Sequence, residues 1–381
     1  LRVFSRRVAA VAAATTLLAA TMGCTAHAQE VANGSSALVA PLTVNGLDAR
    51  AMGDYVPPQA ELDAAFGCAQ PTADPAAKKT VVLVPGVGES VHAAFAWSYI
   101  PQLRSQGYNV CWVQPPHGGR GDLTQSALDV ANDIKARHER SGEKVAAIGH
   151  SAGPPAIMWA LRYDAEAASL VDDFISVAGA NRGTALIEPV CGSVGNCPVI
   201  AWKMHPNSDF VQALHAQPLP DSVDVTSVYS LTDEGIQPAK QVSSISSAAN
   251  IAVQDVCPTH LVGHIGILSS NAAYQLILDA LEHEGPADRT RAAQATECSQ
   301  YFAPGIEPSK LTELLPAIGE YLAALGEPRY ASQPPLPSYA QPDVANPLRP
   351  DELADGSSER FSSAGQGIAA AVAGSAQSAI D

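Results

Sequence analysis

Ser151 stands in the pentapeptide Gly149-His150-Ser151-Ala152-Gly153, between the apolar run 145–148 and the pair Pro154-Pro155. A serine with glycines two positions away on each side suits a sharp turn that exposes its hydroxyl as a nucleophile toward an acyl carbon. The pattern is weak alone: with Gly and Ser each at roughly 7% of residues, a chain of this length contains it about one time in eight. The competing reading is a helix N-cap, the commonest task for a serine before a helix. The chemistry further requires a base for the hydroxyl proton, a group to orient that base, and N–H donors for the oxygen that becomes negative.

Such parts occur in the chain order nucleophile, acid, base. His150 adjoins the nucleophile on the turn, so its side chain points away from the hydroxyl and reads as lining the substrate pocket, together with Trp202. Downstream lie His205, His215, His260, His264 and His283. The base belongs in a loop after the last strand, which leaves "CPTHLVGHIGILSS"; His264 is preferred, with His260 a supporting or surface residue and His283 solvated at a helix end. The acid belongs after the preceding strand, where "VTSVYSLTDE" presents Asp233, with Glu234 the alternative. Asp221 and Asp224 fall before that strand. In "VVLVPGVGES", Gly86 frees the backbone, and the N–H of Val87 joins that of Ala152 as the expected oxyanion donors. A nucleotide loop at Gly86-x-Gly88 lacks the third glycine, and no GxxxxGK occurs.

These residues need rigid elements. Short β-rich runs, "TVVLVPG" at 80, "YNVCWVQ" at 108, "KVAAIGH" at 144, "DFISVAG" at 173, "VTSVYS" at 225 and "NIAVQDV" at 250, alternate with helical stretches such as "DLTQSALDVANDIKARHER". That is α/β alternation and implies a mostly parallel sheet with helices on both faces, which places Ser151 at the strand-to-helix turn of an α/β-hydrolase fold. Residues 184–222 interrupt the alternation as an excursion over the carboxyl edge of the sheet, in which Ile200, Trp202, Met204 and Phe210 supply apolar surface; it reads as a lid or pocket wall or, equally, as an ordinary packed helix and loop. Residues 345–381, rich in Ala, Ser and Gly, read as a loosely ordered tail.

The chain has 381 residues and a net charge of -16. Residues 1–28 read as an export signal: Arg2, Arg6 and Arg7, an apolar run over 8–22, and Ala26-His27-Ala28 as the cleavage site. The folded domain is then expected over 29–344 and the product outside the cell, with attachment to the envelope through Cys24 as the alternative. Removing residues 1–28 takes away three arginines and no acid and moves the net charge to -19. Such a surface repels phosphate backbones, so nucleic acid is excluded as a partner and a neutral ester remains open. Six cysteines remain, at 68, 111, 191, 197, 257 and 298, an even number suited to three disulfides; 15 pairings are possible. There is no CxxC and no HExxH, so no metal is expected.

The residues "ELDAAFGC" before "VVLVPGVG", "GYNVCWVQPP", "YSLTDEGIQP", "AVQDVCPTHLVGH" and "PLPSYAQP" give the chain a resemblance to the Candida antarctica lipase B family of triacylglycerol lipases, over roughly residues 57–342. The resemblance implies Ser151, Asp233 and His264 as a catalytic triad and Val87 and Ala152 as oxyanion donors. It also implies disulfides Cys68–Cys111 and Cys257–Cys298, leaving Cys191 to Cys197. It departs where the family has a threonine at Val87, a tryptophan at His150 and a glutamine at Ala152, which implies a more polar, wider pocket. The family's C-terminal disulfide is absent, and the Cys191–Cys197 loop is additional. The resulting expectation is a monomeric serine ester hydrolase that needs no cofactor, meets its substrate at a lipid–water interface and prefers triacylglycerol. A short-chain esterase or polyester hydrolase is the alternative, and behind it an acyltransferase or a non-catalytic binding protein.

Overall fold

Valine- and alanine-rich runs become strands because β-branched side chains pack well on a pleated sheet that is buried on both sides. The structure is a computed structural model that describes residues 65–69, 78–187, 191, 196–306 and 329–340. The expected export segment 1–28 and tail 345–381 lie outside these residues. Among the described residues a seven-stranded sheet has the order β1-β3-β2-β4-β5-β7-β8. Its strands are β1 (Phe66–Cys68), β2 (Lys78–Val84), β3 (Tyr108–Val113), β4 (Val145–His150), β5 (Val171–Val177), β7 (Asp224–Tyr229) and β8 (Ala249–Ala252); β6 (Cys197–Pro198) lies apart. All neighbours pair in parallel except β1, which runs antiparallel to β3. Every residue of β4 is buried, so both faces of the sheet are covered there. Parallel pairing brings the loops after β2, β4, β5, β7 and β8 out on one edge, which is where a site in such a sheet is built.

Helix α1 (Leu123–Ser141) starts where Asp122 accepts the N–H of Thr124 at 2.9 Å, and it buries Leu123, Ala127, Leu128, Ala131 and Ile134 as one stripe. That spacing of three and four residues is the periodicity legible in the sequence. Helix α2 (Gly153–Tyr163) is buried at every position from Gly153 to Leu161, lying against α1 and the strands β4 and β5. Its Trp159 stacks on Phe210, with ring centroids 4.6 Å apart.

The excursion after β5 contains helices α3 (Val199–Lys203) and α4 (Asp209–His215). Ile200, Met204 and Phe210, expected as apolar surface, belong to the core. Lys203 is also fully buried, its ammonium 3.2 Å from the Asp122 carboxylate that caps α1. Helix α5 (Asn271–Glu282) packs on β5 and β7.

One expectation needs correction, and two elements were not expected at all. The run at 250 is strand only as far as Ala252: Asp255 accepts the Ala252 N–H at 2.9 Å and turns residues Val253–Val256 into a short helix. Strand β1 lies outside the runs that the sequence marks as strands; three residues carry no periodicity, and its register pairs Cys68 with Cys111, which also share a disulfide. A two-stranded ribbon pairs β6 with β9 (Arg329–Tyr330), beside the Cys191–Cys197 disulfide. The third disulfide joins Cys257 to Cys298.

Candidate active site

Between the end of β4 at His150 and the start of α2 at Gly153 the chain must turn within two residues, and Ser151 takes a φ of +60°. A non-glycine residue in that region costs on the order of 1–3 kcal/mol and persists only where its surroundings enforce it. Here they do: the Ser151 N–H donates to Val177 O at 3.1 Å, and its carbonyl accepts from the Ala180 N–H at 2.9 Å. Gly153 is required by close approach, since a Cβ would lie 2.2 Å from the Val84 carbonyl oxygen. Pro154 and Pro155 occupy the first turn of α2, where amides lack intrahelical partners and nothing is lost.

The loops after β7 and β8 bring the other two residues to this serine. Asp233 is fully buried; its Oδ1 accepts the N–H groups of Gly235 at 2.8 Å and Ile236 at 3.0 Å, and its Oδ2 lies 3.0 Å from Nδ1 of His264. Gln237 also donates its side-chain amide to the Asp233 carbonyl. Because an ionised carboxylate only accepts, Nδ1 of His264 carries the proton, which leaves Nε2 to accept from the Ser151 hydroxyl 2.9 Å away. Glu234, the alternative acid, instead accepts the backbone N–H of His264 at 3.0 Å. Thr232 braces the two loops, its hydroxyl donating to Val262 O and accepting the Val262 N–H, both at 3.0 Å.

Burial opposes a charge on His264, but the Asp233 carboxylate and its hydrogen bond, with Glu89 and Glu234 nearby, outweigh that, and the imidazole is held above its ordinary pKa. This suits a group that must accept a proton readily. The turn after β2 lies directly over the serine: a Cβ on Gly86 would fall 2.6 Å from the Ser151 Cβ and 3.1 Å from its Oγ. Among the described residues no group accepts from the N–H of Val87 or of Ala152.

The structure therefore brings Ser151, His264, Asp233 and the turn of Gly86 and Val87 together. His150 is placed otherwise than expected. It is fully buried rather than lining a pocket, with Nδ1 3.0 Å from Glu89 Oε2 and Nε2 3.1 Å from the carbonyl oxygen of His264. Trp202, also expected at the pocket, donates its indole N–H to Tyr330 O of β9. His260 is buried, 2.8 Å from Cys298 O and against the Tyr301 ring, and does not reach the serine. His283 is exposed after α5. Glu89 was missed; its only sequence signal is a lone acid in an otherwise neutral turn between a buried strand and a helix. No group of three or more His, Cys, Asp or Glu is placed to hold a metal ion among the described residues.

A serine, an imidazole and a buried carboxylate in hydrogen-bonded line, under a glycine turn with spare amides, are the parts for acyl transfer to water. Comparison with known proteins agrees. Residues 164–276, which include Asp233 and His264, match the family model described as lipase (class 2). The chain is 28% identical over 294 residues to lipase B of Pseudozyma antarctica, formerly Candida antarctica, a match covering 75% of this chain and 85% of that one. It is also similar to the crystal structure of Aspergillus fumigatus lipase B, with a TM-score of 0.66 and 26% identity, over 75% of this chain and 72% of the other. Similar to these B lipases over three quarters of its length, the chain is an ester hydrolase of the α/β-hydrolase fold.

Proposed function

We propose that the protein is a secreted serine hydrolase of neutral lipid esters, triacylglycerol first among them, that works through an acyl-enzyme on Ser151. The observation that carries this reading is the unbroken line from Asp233 Oδ2 through the His264 ring to Ser151 Oγ, with contacts of 3.0 and 2.9 Å. Ser151 attacks the ester carbonyl while Nε2 of His264 takes its proton. Asp233 keeps the imidazole in the required tautomer and stabilises the imidazolium. The oxygen of the tetrahedral intermediate takes hydrogen bonds from the amides of Val87 and Ala152; Val87 has no hydroxyl to add a further bond. His264 returns the proton to the leaving alkoxide, then activates a water that releases the acid. The substrate class rests on similarity to the B lipases, and an acidic chain favours a neutral ester over an anionic one. Secretion rests on residues 1–28 and accords with three disulfides, which persist in oxidising compartments.

A phosphonate ester probe tests the nucleophile. Peptide mass spectrometry is expected to locate the adduct on Ser151 and to find it lost in His264→Ala; folded wild-type protein that takes no label refutes the reading. Faster turnover of emulsified triglyceride than of dissolved butyrate ester supports the lipase assignment, and the reverse order makes the protein an esterase.

A further inference from the structure

Behind the line of Ser151, His264 and Asp233 lies a buried pair that the reaction as described does not use. Glu89 is 2% exposed, and one of its oxygens, Oε2, serves two partners: it accepts the N–H of Gly86 at 2.9 Å and meets Nδ1 of His150 at 3.0 Å. The other ring nitrogen of His150 points 3.1 Å to the backbone carbonyl of His264. A carbonyl oxygen only accepts, so Nε2 of His150 bears a proton. Burial pushes the Glu89 carboxyl up, but the charge and hydrogen bond of His150, the Gly86 amide and the nearby His264 prevail and hold it below its ordinary range. The contact between Nδ1 of His150 and Oε2 of Glu89 is closed to water, with His150 fully buried.

That pair ties together the three segments that carry the reacting parts: the turn after β2, the elbow after β4 and the loop that bears His264. A buried polar pair of this kind is weak evidence for stability, because apolar residues of similar volume often serve as well or better. Its reach into all three segments gives it a different task. We propose that Glu89 and His150 form a strut that fixes the Gly86–Val87 turn and the His264 backbone relative to Ser151, making Glu89 a positioning residue for ester hydrolysis. The proposal rests on the reading of Ser151 as nucleophile. The groups facing the His264 ring are Asp233 and Glu234 from the loop after β7, Glu89 from the turn after β2, and Ser151 and the His150 ring from the elbow, the last 5.0 Å away between centroids. Removing the Glu89 charge therefore removes one of the anions that favour a protonated His264.

In the full-length protein, Glu89→Gln is expected to lower kcat on a dissolved butyrate ester by about 10²-fold, the scale of a misplaced catalytic group, with KM near the wild-type value. The acidic limb of kcat/KM is expected to move to lower pH, and Glu89→Asp, which restores the charge, to bring that limb back. A folded Glu89→Gln variant whose limb stays where the wild type has it, or in which only KM changes, overturns the strut. Should the variant fail to fold, histidine 15N spectra of the wild type decide: Nε2 of His150 is expected to bear the proton that its contact with the His264 carbonyl requires, and a bare Nε2 overturns the proposal. Failure of the underlying reading shows separately, as wild-type protein that takes no phosphonate on Ser151.

Discussion

At the scale of single residues, His264 is asked to do two things that pull apart. Its pKa is raised above the ordinary histidine value of about 6.5 because the carboxylates around it favour the protonated ring. A raised folded-state pKa adds stability that is fully present below the unfolded value and is lost as the pH rises through the folded one. In the proposed reaction, proton acceptance from Ser151 requires the neutral ring, so activity is expected in the range where that contribution has gone. The prediction is an acidic limb of kcat/KM with its midpoint above about pH 6.5. A wild-type midpoint below that value, from initial rates across a buffer series, contradicts the charge arrangement described. The strained φ of Ser151 belongs to the same scale, since both place function ahead of local comfort.

Among elements, the excursion after β5 is joined to the rest of the fold by an uncommon contact. The Lys203 ammonium has no exposure, and Asp122 is its ion-pair partner, while the same carboxylate caps α1. Asp122→Ala removes a cap, a loss of about 1 kcal/mol, and leaves a buried charge uncompensated, a loss of about 3–5 kcal/mol. Lys203→Met removes the charge and keeps an apolar stem, so it is expected to cost far less. In urea denaturation the double variant should recover most of what Asp122→Ala loses; a double variant whose loss equals the sum of the two single losses would mean that the pair does not couple. Elements also explain what the sequence made legible. The buried parallel strands announce themselves through continuous Val, Ile and Ala, and α1 through its stripe, because burial over six or more residues imposes a pattern. Strand β1 and the ribbon of β6 and β9 are too short for any period and are held beside disulfides. The meeting of Ser151, Asp233 and His264 was legible because the fold orders them along the chain. Glu89 was not, since its meaning depends on partners 61 residues away at His150 and, through that ring, a further 114 residues away at His264. For the same reason His150 looked like a pocket wall: nothing local shows that both its nitrogens are already engaged.

On the scale of the whole molecule, the charge, the disulfides and the sheet act together. A net charge of -16 keeps like molecules apart and leaves neutral esters unhindered. Cys68–Cys111 fastens the edge strand β1 to β3, covering a row of backbone groups that would otherwise be open to pairing with another chain. The contact between Ser151 and His264 spans 113 residues of sequence. Contacts of that length close late, because the intervening chain must first be ordered around them. Helices α1 and α2, by contrast, form from neighbours. During refolding with disulfides intact, far-ultraviolet ellipticity should return before the capacity to take phosphonate on Ser151, and simultaneous recovery would argue against this order. On the proposed reading, a nucleophile whose base arrives last is inert for as long as the chain is incomplete, so a nascent or partly folded copy is spared reaction with the esters around it until folding is done.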